Sequence, residues 1–549
     1  MATSSWIGEP RVKGSSQSMK LFLLTFSLIG LQFCWGTEQT YASPFLLALG
    51  LSKGGMSLVW IAGPLSGLIM QPIIGMISDQ STSPYGRRRP FMVGGTCAVA
   101  VCLLVLGWAK ELVAYFVEDA ERRRHVTIQL AIVDIFVLDF VINIAQSTCR
   151  ALVVDTLPVS QQKLGAAWVT RMAGVGHILV FGIGALDLEV VLPGLFGSTQ
   201  FQKVCSIAAL AMAISQFVTC WAVTERVLVS DEPTSGNKQS LGSIIYQIYD
   251  RTVNVPKRIQ AICWVQFWSW IGWFPLLFYG SVWVGEIYLR HHAPNETGDA
   301  LSQVGMVGSA ALIVHSVTTF ITAIVLPWLV TSPGEAEKPG FTPRPPESLK
   351  GIMETLTTIS KPSLLNTWTF GTLVFSVSMI FAPVVKSVGF ATLLMAITGV
   401  SSAIASLAAG TYIGVEVNRL GPALPQHVHR QTTVDEKELD EKNIQPKSTS
   451  HPRRASDASG GVSSSGELSG IYLGILNIYT TIPQFVGTGI SWAVFSIMEP
   501  GKSPELAKDA HPDEHHSTEG VSAVGVCLFI GALSSLVAAR ATRRLKEDT

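Results

Sequence analysis

Four polar residues recur at helical spacing inside one long apolar stretch. Asp139, Asn143, Gln146 and Arg150 stand at positions i, i+4, i+7 and i+11, and about 100° per residue places them on one face of an α-helix. An acid can carry a proton, and amides can bond hydroxyl groups. Arg150 would lie about 16 Å further along the axis than Asp139, too far for a direct ion pair on a straight helix. The stripe predicts either a wet cavity that binds a proton and a polar solute, or a network that joins helices.

Polar side chains also interrupt other apolar stretches. Glu38 is the only charged residue between Leu21 and Leu49, so it is a second candidate for proton coupling, unless it reaches the headgroups outside the bilayer core. For His177 the main alternative is simple packing, and for the tryptophans near Trp270 it is an interfacial belt. The other candidates for binding a polar solute are Gln39, His177, Gln266, Trp270, Asn477 and Gln484.

The composition indicates the elements that must position these residues. Of 549 residues, 48% are hydrophobic and only 14% are charged, whereas soluble domains have about a quarter charged residues. Lipid can solvate such a chain. The 39 basic and 39 acidic residues balance, which argues against a nucleic-acid partner. The sequence shows no catalytic or metal-binding motif such as HExxH, a P-loop or paired CxxC, so we expect no enzyme, no metal and no cofactor.

Twelve stretches are long and apolar enough to cross a bilayer. They predict an all-α membrane protein with twelve transmembrane helices in two six-helix halves, 20–223 and 259–539, joined by a central loop, 224–258, and flanked by tails 1–19 and 540–549. The loops 332–362 and 420–467 are polar and charged, and we expect them to be disordered. The predicted spans are 20–43, 57–78, 91–109, 126–150, 165–187, 201–223, 259–283, 303–331, 364–385, 388–413, 468–498 and 520–539.

The basic residues predict the orientation of the bundle. Most of the 39 lysines and arginines fall on one side if both termini are cytoplasmic, which is the preferred topology. The loop 110–125 disagrees, because it carries Arg122, Arg123 and Arg124 on the outer side. Asn295 begins an Asn-Glu-Thr glycosylation sequon in a predicted outer loop, which agrees with this orientation.

The connection between the second and third spans has a distinctive pattern. Residues 75–79 read GMISD and residues 86–90 read GRRRP. The pattern resembles the cytoplasmic motif of the major facilitator superfamily, whose charges can pair across the two halves and stabilise the outward-open state. The resemblance implies that Asp79, Arg87, Arg88 and Arg89 form a gate. The three arginines alone would also be explained by positive-inside topology.

Several longer runs resemble the sucrose–proton symporters of the glycoside–pentoside–hexuronide:cation symporter group. These runs are WIAGPLSG at 60–67, WIGWFP at 270–275 and GILN at 474–477, together with the spacing of Asp139 and Arg150. The resemblance implies that Asp139 takes the coupling proton and contacts the sugar, and that Arg150 supports coupling. The aromatic residues of 270–275 would pack on the apolar face of a sugar ring.

The chain also departs from the plant pattern. His177 stands where plant members have Asn, and residues 279–282 replace a plant Asp pair. The long inner loops look fungal, and fungal relatives are implied to take maltose-like α-glucosides as well as sucrose. The resemblance thus implies proton-coupled symport of sucrose or a related α-glucoside, with the plasma membrane favoured. An organellar sugar exporter and a non-transporting sugar sensor remain alternatives.

Overall fold

The structure is a computed structural model that describes residues 5–158, 161–230, 255–291, 299–331, 361–420, 462–507, 514–515 and 520–547. Asn295, most of the loops 332–362 and 420–467, and most of the central loop therefore lie outside the described residues. Predictions about those segments stay predictions.

The described chain is built from twelve long helices, as predicted. All but α11 also meet, by length and composition, the requirements for crossing a membrane. They are α1 Gln17–Ala48, α2 Lys53–Asp79, α3 Arg89–Gly107, α4 Ala120–Thr156, α5 Gln162–Gly184, α6 Gln200–Ala222, α7 Lys257–His291, α8 Ala300–Leu329, α9 Leu364–Val384, α10 Val388–Leu420, α11 Val462–Met498 and α12 Ala523–Glu547.

Local sequence signals set the ends of these helices. The side chain of Asp119 accepts a hydrogen bond from the N–H of Arg122 at the start of α4, which satisfies one of the free donors of a helix N-terminus. At the other end, Pro158 disfavours helical geometry at Leu157. The helix extends beyond the predicted span of 126–150 at both ends. Its polar end turns stay helical although they lie outside the apolar stretch.

Three membrane helices contain local irregularities near candidate residues. α1 changes to a π-helical turn over Glu38–Ala42, and such turns are frequent at functional sites. α7 contains Pro275, which removes one hydrogen bond of the helix ladder. α11 contains Pro483 and begins at Val462, so it includes residues 462–467, which the sequence placed in the loop.

The two halves, α1–α6 and α7–α12, meet through α1 with α7, α2 with α11 and α5 with α8. Because successive helices reverse direction, both termini lie on one face, which we call the terminal face, and the opposite one is the distal face. Near the distal face, Ser43 Oγ donates to the carbonyl of Phe278 at 3.0 Å, and Ser281 Oγ donates to the carbonyl of Gln39 at 3.2 Å. These bonds join the halves on the distal side.

Two small antiparallel sheets connect the N-terminal segment to the end of α6. β1, Ser5–Ile7, pairs with β4, Val227–Ser230, and β2, Arg11–Val12, pairs with β3, Val223–Thr224. The ammonium of Lys13 lies 3.8 Å from the ring centroid of Trp221, a cation–π contact. These strands lie where the sequence predicted only a tail and a loop.

The close approach of α7 and α12 depends on two glycines. A Cβ atom at Gly272 would lie 2.7 Å from the carbonyl oxygen of Gly531. We expect Gly272→Ala to lower the free energy of unfolding by about 1–3 kcal/mol, the usual cost of overpacking, measured as the thermal stability of the purified protein in detergent. Gly94→Ala is the matched control, because a Cβ there has no neighbour within 4 Å. Equal effects of the two changes would contradict this account.

Candidate functional site

The polar stripe of α4 faces the protein interior at its centre. Asp139 is fully buried at 0% exposure, and Asn143 is buried as well. A Cβ atom at Gly63 of α2 would lie 4.0 Å from both carboxylate oxygens of Asp139 and 4.0 Å from Cζ of Phe278 of α7. Asp139 therefore lies beside α2, close to where α7 of the second half approaches.

The two amides of the stripe bind neighbouring helices. Asn143 Nδ2 donates to Ser66 Oγ at 3.0 Å, and Gln71 Nε2 donates to Asn143 Oδ1 at 3.2 Å. Trp35 Nε1 of α1 donates to Gln146 Oε1 at 2.9 Å. The alternative of a network between helices thus describes Asn143 and Gln146, although it does not describe Asp139.

Asp139 and Glu38 are buried acids without donors. Neither carboxylate oxygen of either residue has a hydrogen-bond partner among the described residues. Glu38 is 2% exposed in the π-helical turn of α1, so the bundle itself encloses its side chain. Asp139 and Asp134 are the acids that act electrostatically on Glu38. Burying an unpaired carboxylate is costly, so this arrangement favours neutral, proton-carrying acids.

The remaining predicted residues occupy different surroundings. Arg150 is exposed and forms no ion pair with another residue of the described ranges, in agreement with its predicted distance from Asp139. The His177 ring stacks on Phe181, with centroids 5.6 Å apart. Gln39 and Trp270 are partly buried, and no hydrogen bond between their side chains and other described residues is found.

Besides Trp270, three predicted solute-binding residues lie within the second half. Gln266 Nε2 of α7 donates to the carbonyl of Ala405 at 3.5 Å. On α11, Gln484 Nε2 donates to the backbone carbonyl of Thr480. The Thr480 hydroxyl donates to the backbone carbonyl of Asn477. These contacts leave the side chain of Asn477 available, whereas Gln266 and Gln484 already bond their own half.

His315 of α8 is a buried polar residue that the sequence reasoning missed. Its Nδ1 lies 3.0 Å from the carbonyl of Met395 and 3.1 Å from Thr398 Oγ1. A carbonyl only accepts hydrogen bonds, so Nδ1 carries a proton, and in the neutral tautomer Nε2 is free to act as an acceptor. A histidine within an apolar run was the only signal in the sequence.

The predicted gate residues form an ion cluster at the terminal face. Arg87 Nη2 lies 2.6 Å from Asp155 Oδ1, and Arg88 Nε lies 2.8 Å from Asp155 Oδ2. Arg88 also pairs with Asp79, whose side chain is 54% exposed. These ion pairs involve Asp79, Arg87, Arg88 and Asp155, which all belong to the first half. The described ion pairs thus join α2, α3 and α4 to one another, whereas the resemblance implied pairing across the halves.

Glu225, just after α6, is a further member of this cluster that the sequence did not indicate. Its carboxylate accepts hydrogen bonds from the backbone N–H groups of Arg87, Arg88 and Arg89 at 2.9–3.1 Å. Negative charge at the N-terminus of α3 is favourable. Burial raises the pKa of Glu225, although these three N–H groups act against the rise. The side chain of Arg89 forms no ion pair with another described residue.

Within the described ranges, no group of three or more His, Cys, Asp or Glu side chains could hold a metal ion. The buried acids Asp139 and Glu38 lie on α4 and α1, which pack against each other, and α1 also packs against α7 of the second half. A bundle of two six-helix halves with unpaired buried acids between its helices is an all-α, multi-pass membrane fold.

Solved structures share this fold. A mutant of the nucleoside transporter NupG aligns with a TM-score of 0.52 at 12% identity, over 96% of this chain and 99% of that chain. A bacterial homologue of the human lysosomal transporter Spinster, in an inward-facing unoccupied conformation, aligns with a TM-score of 0.53 at 13% identity, over 97% and 99%. At these identities the comparison shows the fold alone, and it confirms the predicted architecture.

Sequence comparison identifies the relatives. Residues 25–252 match the family model of the MFS/sugar transport proteins. The general alpha-glucoside permease of Schizosaccharomyces pombe is 34% identical over 58% of this chain and 57% of its own length. Sucrose transport protein SUC4 of Arabidopsis thaliana is 28% identical over 58% of this chain and 64% of its own length. The chain thus spans about three fifths of these relatives, and its predicted resemblance to sucrose and α-glucoside transporters is confirmed.

Proposed function

We propose that the protein carries sucrose or a related α-glucoside such as maltose across a membrane together with a proton, by alternating access, and that it is not an enzyme. The observation that carries this proposal is the fully buried Asp139, whose carboxylate has no donor among the described residues, in a chain whose sequence is similar to sugar transport proteins. The printed names of the relatives, an alpha-glucoside permease and sucrose transport proteins, support the choice of substrate.

The proton is carried by Asp139, with Glu38 as the second acid of the site. A buried carboxyl group without a donor is most stable as the neutral acid. Hydration in an open state would let it ionise and release its proton. Arg150, exposed and further along the same helix, adds positive potential that favours release on its own side. Proton loading is thereby tied to the conformational cycle.

The sugar is bound between the halves by polar and aromatic side chains. Gln39, His177, Trp270 and Asn477 are the residues that carry polar or aromatic groups not fully used within the bundle, and Asn143, Gln146, Gln266 and Gln484 extend the polar surface. A site built to bond sugar hydroxyl groups rejects analogues that lack them. His315 adds an acceptor from α8.

Orientation and membrane complete the proposal. The distribution of basic residues favours a cytoplasmic terminal face, and with it two cytoplasmic termini. The cluster of Asp79, Arg87, Arg88 and Arg89 then lies on the inner side and acts as a gate. Asn295 lies on the outer side as a glycosylation site. We favour the plasma membrane, because the matched alpha-glucoside relative is a permease.

A transport assay tests the proposal. Cells that lack other sugar carriers and express the protein should accumulate labelled sucrose or maltose, and a protonophore should abolish the accumulation. An organellar exporter would show the same sugar dependence only in isolated organelles. A sensor would bind the sugar without moving it. Absence of both uptake and binding of any α-glucoside would overturn the proposal.

Alanine replacement of residues between the halves should weaken sugar binding. For His177→Ala and Asn477→Ala we expect KM to rise roughly tenfold, because each lost hydrogen bond costs about 1 kcal/mol or somewhat more. Phe217→Ala is the control, since Phe217 is exposed on α6. Unchanged KM values for every α-glucoside would show that these residues do not contact the sugar.

A further inference from the structure

A second ion cluster lies at the distal face, and nothing in the proposed mechanism has used it. We call it the distal ion cluster, and it consists of Lys53, Glu286, Arg290, Glu499 and Glu505. Lys53 Nζ lies 2.5 Å from Glu286 Oε1 and also pairs with Glu499. Arg290 Nε lies 2.8 Å from Glu505 Oε1, and Arg290 Nη2 lies 3.8 Å from both Glu286 Oε2 and Glu499 Oε1.

Among the residues that the structure describes, only Lys53 reaches this cluster from the first half. It stands in the first turn of α2, whereas the four other members lie on α7, at the end of α11 or in the segment that follows α11. Its side chain is 0% exposed, and both acids that pair with it are nearly as buried. The contact is therefore a buried ion pair that bridges the two halves.

The surrounding contacts show that α2 is seated against the second half at this point. A Cβ atom at Gly54 would lie 2.8 Å from Ser496 Oγ of α11. Trp60 Nε1 donates to Ser43 Oγ, which itself donates to the carbonyl of Phe278 of α7. The Trp60 and Phe278 rings are 4.5 Å apart. Any opening of the distal face must separate Lys53 from its acids.

The charges of the cluster make Lys53 necessary for closure. With Lys53 in place the cluster holds two cations and three carboxylates. Without it, one arginine would face three acids, and like charges in a water-poor site repel strongly. Burial alone would raise the pKa of Glu505, yet Arg290 and Lys53 hold it below its usual range. When the halves part, water can solvate each charge, so the pairs favour the closed state without preventing opening.

We infer that Lys53 is the positioning residue that closes the outer side of the transporter, by pairing with Glu286 and Glu499 only while the halves are together at the distal face. This inference rests on the alternating access of the proposed function and on the proposed orientation. It assigns a role to the outer side that complements the Asp79 cluster on the inner side.

Thiol accessibility tests the inference without any sugar. Ser281 is buried at the distal junction of the halves, so Ser281→Cys is a reporter that reacts with a membrane-impermeant maleimide only when the outer side opens. In intact cells we expect Lys53→Gln to speed the labelling of this cysteine at least roughly tenfold. The conservative Lys53→Arg should keep labelling close to that of the parent reporter.

Two further measurements separate a gate from simple unfolding. The charge exchange Lys53→Glu with Glu499→Lys conserves the charge of the cluster and should restore slow labelling relative to Lys53→Glu alone. Labelling of Cys205, buried within the first half, should stay slow in every folded variant. An unchanged reporter rate in Lys53→Gln, with Cys205 still protected, would overturn the inference. Because no transport is measured, failure of α-glucoside uptake would leave this result intact and would count against the proposed function alone.

Discussion

Replacing Asp139 by asparagine should abolish accumulation of the sugar against its gradient while leaving exchange of sugar across the membrane. Asparagine mimics the permanently protonated acid, so sugar binding and the movement of the loaded carrier should persist. Release of the proton can no longer occur, and the proton gradient can no longer drive uptake. The measurement is the steady-state ratio of inner to outer labelled sugar, which should fall to about one, together with the rate of counterflow.

Asp134→Asn is the matched control for this experiment. Asp134 is also a buried acid of α4, with one carboxylate oxygen unpartnered among the described residues, but it lies beside Cys102 of α3. We expect accumulation to survive this change. Normal accumulation in Asp139→Asn would exclude Asp139, and Glu38→Gln would then be the variant to examine for the same phenotype.

The second large effect that we expect is a loss of stability on replacing Arg88 at the terminal face. Arg88 is buried and joins Asp79, Asp155 and Ser78, so it connects the ends of α2 and α4 to the start of α3. Removing one partner of a buried ion pair costs about 3–5 kcal/mol. For Arg88→Met we expect a loss of unfolding free energy at the lower end of this range, because Arg87 still pairs with Asp155 and Asp79 is largely solvated. Thermal unfolding of the purified protein would measure the loss.

Arg89→Met provides the control for Arg88. The Arg89 guanidinium donates to the carbonyl of Tyr85 at 3.4 Å and forms no ion pair with another residue of the described chain. Its backbone N–H, which bonds Glu225, is kept in the methionine variant. Arg89 is half-buried, and the expected loss of unfolding free energy is about 0.5 kcal/mol, because no ion pair with another described residue is broken. Similar losses for Arg88 and Arg89 would mean that the cluster acts only as a general positive charge.

Much of the architecture follows from the sequence because the bilayer constrains it. A membrane helix needs a long apolar stretch, so the existence of the helices could be predicted from hydropathy, although the polar end turns of α4 and α11 could not. The spacing of Asp139 and Asn143 likewise placed both on one face of one helix. Local periodicity is enough for such inferences, since a helix sets the direction of each side chain by itself.

The roles of those residues depended on neighbours that local periodicity does not specify. Asn143 and Gln146 are bonded to α2 and α1, whereas Asp139 on the same stripe is left without a donor. The difference arises from which helices pack beside each turn of α4. In the same way, the sequence placed Glu38 either in the core or at the headgroups, and packing of the π-helical turn buried it.

The ion clusters show most clearly which features the sequence predicts and which features only the tertiary structure determines. The arginines at 87–89 were conspicuous because they are consecutive, but their partners Asp155 and Glu225 come from the ends of other helices. Lys53 and Glu499 are 446 residues apart, and neither lies in a pattern that would relate them. Such pairs form because the ends of α2, α7 and α11 meet at one face, and only the packing of the two halves brings those ends together.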